Sequence, residues 1–454
     1  MSFTSPVFAL FVAVVFVLYY ALPYRGWQTS LLVVASIYFY ASDQIQLLPV
    51  LLVAVIITYV TMRAAAAGQV AMAAAGIVAN LLLLAFFKYK FLVIDPEQWK
   101  AGEAGWINYL MLLPLPIGIS FFVFHNISAI ADYYRFRKER QLPTLTELTL
   151  YILFFPQLVS GPITRAASFF PQIRRMVLAD VPFLQAGKLL VLGYFMKLYV
   201  ANNLNEFTAW MAPGTMGRLG GGDRVLMVFL YSCQIYADFF GYSTIALGLA
   251  LLFGYRLPVN FKLPYTAHSF SDFWNRWHIS LSSWLRVYLY IPLGGNRISP
   301  LRTYLNLMIV MGLGGLWHGA SWNYLLWGLA HGVFLAGERF LVGDRVQSIW
   351  EKHAQTVLVF VAVSCAWLLF RFKDVGDAAT FIAGGVTEGW RFVFAPEIYL
   401  AAAMSAAPVV LQHLVPVNRF PAAYKSVEPV LYGVMLCLAI FARGPETVFI
   451  YFRF

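Results

Sequence analysis

Apolar runs long enough to cross a lipid bilayer recur along almost the whole chain, and they restrict its fold more than any other feature. They lie at roughly 5–23, 28–41, 46–65, 70–94, 108–133, 185–206, 224–253, 303–317, 322–341, 356–372, 398–416 and 427–443. Only helices and closed barrels satisfy the backbone hydrogen-bonding groups in lipid, and continuous rather than alternating apolar runs indicate helices. We therefore predict an all-α polytopic membrane protein with about 11 to 13 transmembrane or re-entrant helices.

The charge composition agrees with a membrane protein and argues against nucleic-acid binding. The chain is 61% hydrophobic and 12% charged, with a formal net charge of +11. Its basic residues are spread over several short loops, which is typical of the cytoplasmic loops of membrane proteins, and we place the densest cluster, at 135–140, in the cytoplasm. Cys233, Cys365 and Cys437 lie far apart in apolar runs without metal-ligand spacing, so we expect three buried structural thiols.

One apolar run, at 146–162, contains the helix breakers Pro156, Gly161 and Pro162. Basic residues that look cytoplasmic flank it on both sides, which a single crossing cannot explain. A re-entrant segment enters the membrane and returns to the same side, so it would leave both basic flanks in the cytoplasm. Broken helices are tolerated at membrane depth when protein buries them. The alternative is an ordinary interfacial helix.

A basic and aromatic segment follows at 256–302. Its aromatic residues recur at spacings of four, seven and four, at Phe273, Trp277, Trp284 and Tyr288. Such spacing predicts one amphipathic helix near the cytoplasmic interface, with its aromatic face in protein or lipid and its arginines towards water or an anion. Turn-forming residues at 292–296 are expected to end this helix.

Among the seven histidines, His318 and His278 have the most unusual surroundings. His318 lies in the glycine- and tryptophan-rich segment Gly314–Trp322, where glycines allow a backbone or a ligand to approach closely. An imidazole titrates near neutral pH, so His318 is a candidate general base that takes a proton from a hydroxyl group. The alternative is a buried histidine that hydrogen-bonds a carbonyl group. Structural or solvated roles are expected for the others, His125, His268, His331, His353 and His413.

Asp238 is an acidic residue well inside an apolar run. Gln234, Asp238 and Tyr242 follow one another at intervals of four, which places them on one helix face. A carboxyl group at membrane depth normally points towards a partner or a cavity. Two interpretations remain open. Asp238 either relays protons or, as we prefer, anchors an arginine of the 276–297 segment.

Seven segments match, in order, the motifs of one protein family. They are Leu115–Phe121, Phe155–Pro162, Tyr231–Tyr242, Phe273–Ser282, Tyr290–Arg297, Leu313–Trp322 and Phe449–Phe454. In these segments the chain resembles the membrane-bound O-acyltransferase (MBOAT) family, in particular the bacterial branch typified by the alginate O-acetylation membrane subunit. Asn275 stands where that branch commonly has arginine, which is closer to the teichoic-acid D-alanylation relatives, so the polymer stays open.

This resemblance implies the MBOAT fold, a ring of tilted helices around a central tunnel. One domain would span 1–454, with a catalytic core at about 110–342 and C-terminal helices at 356–454. His318 corresponds to the essential histidine of the family and His278 to the second histidine of this branch. Substrate-contacting residues are expected among Gln234, Asp238, Tyr242, Trp274, Asn275, Arg276, Arg286, Arg297 and Trp317.

The same resemblance implies an activity. Acetyl-CoA from the cytosol would serve as donor, with no bound cofactor or metal, and the acetyl group would cross the bacterial inner membrane to a periplasmic acetyltransferase of the SGNH type. The product would be an O-acetylated exported polysaccharide: alginate-like, cellulose or peptidoglycan. Two alternatives stay open: D-alanyl transfer from a thioester carrier protein, and a transporter suggested by broken helices and an intramembrane Asp238.

Overall fold

The computed structural model describes residues 1–93, 105–136, 141–159, 161–342, 348–415 and 421–447. Throughout these ranges the regular secondary structure is helical, which confirms the predicted all-α class. Several of the helical stretches are long and apolar enough to cross a membrane: Arg25–Ala66, Val70–Lys90, Phe183–Met211, Gly221–Leu252 and Ile349–Arg371. The chain is therefore a multi-pass membrane protein.

The described helices follow the apolar runs closely. They are α1 Pro6–Ala21, α2 Arg25–Gln44, α3 Leu48–Ala66, α4 Val70–Val93, α5 Trp106–Leu112, α6 Ile119–Arg135, α7 Leu145–Leu153, α8 Phe183–Tyr194, α9 Asn202–Thr208, α10 Gly221–Leu252, α11 Phe270–Arg276, α12 Ile279–Leu285, α13 Pro300–His318, α14 Trp322–Leu341, α15 Ile349–Ala366, α16 Leu368–Arg371, α17 Val375–Thr387, α18 Pro396–Leu414 and α19 Pro421–Phe441. π-Helical turns occupy Phe195–Ala201 and Arg286–Tyr290. The chain forms two compact units, Met1–Gly187 with Ala246–Pro258, and Lys188–Ile245 with Val259–Phe454.

In the first unit, α3, α4 and α6 pack against one another, and α2 packs against α7. Polar side chains join these helices where lipid offers no hydrogen-bond partner: Asn126 of α6 donates to Asn80 of α4 at 2.6 Å, and Asn80 donates to Thr58 Oγ1 of α3 at 3.4 Å. Such hydrogen bonds between helices specify packing in a membrane, where apolar contacts alone distinguish poorly between neighbours.

Two breaks interrupt the first unit. The predicted single span at 108–133 is wrong, because residues 113–118 separate α5 from α6. Pro114 and Pro116 remove backbone donors there, and Gly118 adopts a left-handed conformation with φ 71°. The predicted break within 146–162 is confirmed, since α7 ends at Leu153 and Pro156 lies in a separate short helix, Phe155–Leu158. Re-entry into the membrane stays a prediction.

The second unit contains the histidine-rich segments, and there one prediction fails. Residues 271–291 do not form one amphipathic helix but α11, α12 and a π-helical turn. The break falls at His278, whose φ of 43° lies in the left-handed region that side chains other than glycine rarely adopt. Asn260 stabilises this break in the helix. The Asn260 carbonyl oxygen accepts a hydrogen bond from Ile279 N at 3.0 Å, and Asn260 Oδ1 accepts one from Ser280 Oγ at 2.6 Å. The predicted turn at 292–296 is confirmed.

The cysteine prediction is correct for one thiol only. Cys233 is buried, whereas Cys365 and Cys437 are exposed. Both exposed thiols lie on outer faces of apolar helices, where a small hydrophobic side chain suits lipid as well as it suits a protein core. Part of the basic cluster, at 137–140, and the terminal motif Phe449–Phe454 lie outside the described residues.

Candidate active site

The second unit contains an open cavity of about 730 Å³ between the α11–α12 segment, α13 and α14. Its lining residues are Ser271, Trp274, Asn275, Ile279, Leu281, Ser282, Ser283, Leu285, Arg286, Tyr290, Pro300, Tyr304, Leu307, Val310, Met311, Gly314, His318, Trp327, Leu335, Glu338 and Arg339. Of the predicted site residues, His318, Trp274, Asn275 and Arg286 belong to this lining.

One face of α13 supplies much of the cavity wall. The residues on that face recur at spacings of four and three: Pro300, Tyr304, Leu307, Met311, Gly314 and His318. Intervals of three and four keep side chains on one side of a helix. Since α13 begins at Pro300 and ends at His318, this wall is about 27 Å long at 1.5 Å per residue.

The α13–α14 hairpin determines which residues lie at each end of the wall. The two helices run antiparallel and contact each other through glycines. A methyl group added at Gly315 would collide with the carbonyl oxygen of Tyr324, and one at Gly332 would lie 2.8 Å from Met308 Sδ. Continuing this pairing places Arg339, near the end of α14, beside the first turn of α13.

The end of the cavity opposite His318 is polar and accessible. Arg286 and Arg339 are both exposed, and Tyr290 lies within electrostatic reach of both guanidinium groups. Glu338 also lines the cavity, but its carboxylate accepts hydrogen bonds from the backbone N–H groups of Phe270 and Ser271 at the start of α11. Two cations thus line this cavity together with a carboxylate already committed to a helix N-terminus, an arrangement suited to phosphate groups.

His318 lies at the opposite, enclosed end and is only 6% exposed. Its ring centroid lies 4.9 Å from that of Trp317, 5.1 Å from that of Trp327 and 5.1 Å from that of Phe370. The planes of His318 and Trp327 are almost perpendicular, at 89°. This packing restricts rotation of the imidazole, and rigid positioning is what a general base requires.

His278 is close to this group but is not one of the lining residues. Its ring packs edge-on against Phe239, with centroids 4.6 Å apart, and lies 6.1 Å from Trp317. Trp317 therefore contacts both imidazoles. Backbone strain of the kind seen at His278 often accompanies functional sites. The catalytic role of His278 stays a prediction.

Three further predicted residues lie away from the cavity lining. Arg276 forms an ion pair with Asp272, at 2.7 Å, and donates to Thr266 Oγ1 at 3.2 Å. Arg297 is exposed in the turn that follows the π-helical residues, and Trp317 packs between the two histidines. Arg276 thus has a carboxylate partner already, whereas Arg286 and Arg339 face the cavity.

The predicted face of α10 carries a separate polar network. Asp238 pairs with Lys197, whose Nζ donates to Asp238 Oδ1 at 2.7 Å and lies 5.3 Å from the Tyr242 ring. Gln234 accepts from Thr208 at 2.5 Å. The prediction of an ion pair is confirmed, but the predicted arginine partner is wrong. The π-helical turn at Phe195–Ala201 contributes Lys197 to α10 instead.

Lys197 also forms hydrogen bonds with Thr447, close to the C-terminus. Its Nζ donates to the carbonyl oxygen of Thr447 at 3.1 Å and to Thr447 Oγ1 at 2.9 Å, and Thr447 Oγ1 donates to Asn202 at 2.8 Å. Lys197 is only 1% exposed. Sequence reasoning missed this residue, although a lysine within an apolar run is itself a signal of a buried partner.

We expect Lys197→Met to destabilise the protein by about 3–5 kcal/mol, because it removes the cation that pairs with the buried Asp238 carboxylate. The double variant Lys197→Met/Asp238→Asn should recover much of the loss. Thermal unfolding in detergent, followed by fluorescence-detected size-exclusion chromatography, measures both. Wild-type melting of the single variant contradicts the expectation.

Within the described ranges, no three histidine, cysteine, aspartate or glutamate side chains come together as a group that could hold a metal ion. The candidate site of the described chain consists of a buried imidazole, an elongated cavity and two arginines that line it. Together with the helical membrane architecture, they define an integral membrane protein that can receive a long, anionic ligand next to a buried base.

Comparison with known proteins identifies the class. Residues 119–356 match the membrane-bound O-acyltransferase family. The chain is 36% identical to the protein named "Probable alginate O-acetylase AlgI" from Azotobacter vinelandii, over 83% of this chain and 76% of that protein. It is 32% identical to the peptidoglycan O-acetyltransferase of Helicobacter pylori, over 78% and 73% of the two chains. The teichoic acid D-alanyltransferase of Bacillus subtilis is 28% identical, over 56% and 67%.

The chain belongs to the membrane-bound O-acyltransferase family and is an O-acyltransferase. The matched residues contain the whole cavity lining. The predicted resemblance to the alginate O-acetylation branch is confirmed, since relatives named for alginate O-acetylation are 34–36% identical to this chain over 386–390 aligned residues.

Proposed function

We propose that this protein transfers an acetyl group from cytosolic acetyl-CoA, across the bacterial inner membrane, for the O-acetylation of an exported polysaccharide. One observation carries the proposal: a single cavity is lined both by the buried His318 and by the exposed Arg286 and Arg339. Acetyl-CoA has a thioester at one end of a long arm and phosphate groups at the other. The thioester would lie beside His318 while the phosphates meet the two arginines.

The chemical step needs only a positioned base. The hydroxyl oxygen of the acceptor attacks the carbonyl carbon of the thioester, and its proton passes to the His318 imidazole. Collapse of the tetrahedral intermediate breaks the carbon–sulfur bond, and the proton on His318 can pass to the departing CoA thiolate. The aromatic surroundings of His318 limit access of water, which would otherwise hydrolyse the thioester.

The acceptor is inferred from the relatives rather than from the cavity. Two of the relatives named above are O-acetylating proteins of alginate and peptidoglycan, which supports an exported polysaccharide as the final product. We further propose that a periplasmic acetyltransferase of the SGNH type receives the acetyl group and passes it to the polymer. Family membership favours acyl transfer over the transporter alternative.

D-alanyl transfer is the second candidate, and it rests on two observations. The teichoic acid D-alanyltransferase of Bacillus subtilis is a relative, although at lower identity and over less of the chain than the acetylating relatives. In addition, Asn275 lines the cavity where the alginate branch commonly has arginine. In that case the donor would be a thioester on a carrier protein.

Mass spectrometry of cell-surface glycans from cells with and without the gene tests the proposal. We expect acetyl esters to disappear on deletion and to return with the wild-type gene. Loss of D-alanyl esters instead would support the second candidate. Unchanged esters of both kinds in the deleted strain would overturn both functions.

A further inference from the structure

A hydroxyl group lies on the cavity wall that α12 contributes. Ile279, Ser282, Leu285 and Arg286 all line the cavity and recur at intervals of three and four, so they share one face of α12 and of the turn that follows it. Ser282 is half-buried at the centre of this face, and the residues one turn before and after it, Ile279 and Leu285, are apolar. Ser282 therefore brings a hydrogen-bonding group to an apolar part of the wall.

Two observations give the position of Ser282 along α13. One turn after Ser282, Leu285 Cδ1 lies 3.4 Å from the position of a methyl group added at Gly314. One turn before Ser282, the centroid of the His278 ring lies 6.1 Å from that of the Trp317 ring. Ser282 is thus opposite the last turn of α13, which is the turn that ends at the candidate base.

The hydrogen bonds from the Ser282 hydroxyl to the protein are long. Its Oγ lies 3.3 Å from the carbonyl oxygen of Trp277 and 3.2 Å from that of His278. Hydroxyl donors in proteins usually lie about 2.5–3.0 Å from their acceptor. Hydrogen bonds to ionised oxygens are shorter and roughly twice as strong as those between neutral groups. An anionic oxygen in the cavity is therefore a better acceptor for this hydroxyl than either carbonyl group.

We propose that Ser282 is a further catalytic residue, whose hydroxyl donates a hydrogen bond to the thioester carbonyl oxygen as that oxygen becomes negatively charged. The inference rests on the proposed acyl-CoA donor and adds the group that stabilises the reaction intermediate. A CoA arm whose phosphates meet Arg286 and Arg339 passes between α12 and α13, which both line the cavity. When its thioester lies beside His318, the carbonyl group is at the level of Ser282.

The hydrogen bond acts at one stage of the reaction. As the acceptor oxygen attacks, a carbon–oxygen bond forms, the electron pair of the carbonyl π bond moves to the carbonyl oxygen, and the acceptor's proton passes to His318. Ser282 keeps its own proton and donates a hydrogen bond to this oxyanion. The carbonyl double bond then re-forms, the carbon–sulfur bond breaks, and the thiolate takes the proton from His318. Because the interaction strengthens as charge develops, it raises kcat rather than the affinity for substrate.

Steady-state acetyl transfer in inverted membrane vesicles, with equal amounts of protein and varied acetyl-CoA concentration, tests this assignment. We expect Ser282→Ala to lower kcat about 10²–10³-fold, the usual effect of removing one donor to an oxyanion, and to leave KM nearly unchanged. Its thermal unfolding should stay close to that of the wild type, because the backbone N–H of residue 282 still donates to the His278 carbonyl oxygen at 3.0 Å.

Two further variants make the result specific. Ser283→Ala is the matched control: Ser283 also lines the cavity, and its Oγ donates to the Ser280 carbonyl oxygen at 3.0 Å. Residues two apart on a helix do not share a face, so Ser283 is turned away from Leu285 and α13, and we expect the kcat of the wild type. Ser282→Cys keeps the size of the side chain but replaces the hydroxyl with a weak donor, so its kcat should fall as well.

The outcomes separate this inference from the proposed function. If wild-type vesicles transfer no acetyl groups, the acyl-CoA donor is wrong. If the wild type transfers acetyl groups but Ser282→Ala and Ser282→Cys keep its kcat, only the role of Ser282 is wrong. A raised KM at unchanged kcat, or an equal loss in Ser283→Ala, would also overturn that role. Should Ser282→Ala fail to accumulate in the membrane, the kcat of Ser282→Cys decides.

Discussion

Replacing His318 with alanine is expected to lower acyl transfer by about 10²–10⁴-fold, the usual contribution of a general base. The imidazole is enclosed at one end of the cavity and held by three aromatic rings, so no neighbouring lining residue can replace it without a large displacement. Transfer of radiolabelled acetyl groups from acetyl-CoA into polymer, in vesicles with equal amounts of protein, measures the effect. The affinity for CoA should change little, because the proposed phosphate contacts are made by Arg286 and Arg339 and not by His318.

A matched control separates chemistry from packing. His331 belongs to the same aromatic cluster, with its ring 4.7 Å from that of Trp327 and 5.1 Å from that of Trp274, but it does not line the cavity. His331→Ala makes a packing defect of the same size, and we expect it to reduce transfer far less than His318→Ala does. Equal losses in the two variants would assign the effect to packing. Normal transfer by His318→Ala would remove the imidazole from the mechanism.

Replacing Arg286 and Arg339 together with glutamine should raise the KM for acetyl-CoA at least tenfold and leave kcat nearly unchanged. A hydrogen bond to a charged group contributes about 1.5–3 kcal/mol, and both guanidinium groups are exposed, which places each contribution at the low end. The arginines contact the phosphate groups equally in the bound substrate and in the transition state. Their removal therefore weakens substrate binding without slowing the chemical step. Steady-state transfer rates at varied acetyl-CoA concentration measure the effect, which should weaken at high salt.

Arg297→Gln provides the control for this experiment. Arg297 is also exposed, and the sequence predicts it as an anion-binding residue, but it does not line the cavity. An unchanged KM in this variant, with a raised KM in the double variant, would assign phosphate binding to the cavity arginines. A raised KM in Arg297→Gln alone would support the sequence-based assignment and contradict the structural one.

The positions of the helices were largely predictable because a membrane span is a local property. About 20 consecutive apolar residues identify it, and prolines or glycines mark its ends. The failures have non-local causes. The 271–291 segment has helical periodicity. However, Asn260 accepts hydrogen bonds from the backbone N–H of Ile279 and the hydroxyl of Ser280, and the helix breaks at His278.

The candidate site was predictable in part for a similar reason. His318 stands out in the sequence because its neighbours are unusual, and Trp274, Asn275 and Arg286 lie in a visibly basic and aromatic segment. Arg339 gave no such signal, since it lies at the end of an apolar helix. Its place in the cavity follows from the antiparallel pairing of α13 with α14, which close glycine contacts determine.

The amino-acid sequence by itself determined the membrane-spanning helical class and the approximate helix positions, and it predicted His318 as a candidate base, because hydrophobic length and motif spacing are properties of neighbouring residues. Only the tertiary structure decided which charged side chains lie next to each other. Lys197 rather than an arginine pairs with Asp238, and Arg339 joins Arg286 at the cavity. Residues far apart in the chain become neighbours through helix packing, and no local pattern in a single sequence records which partner each will find.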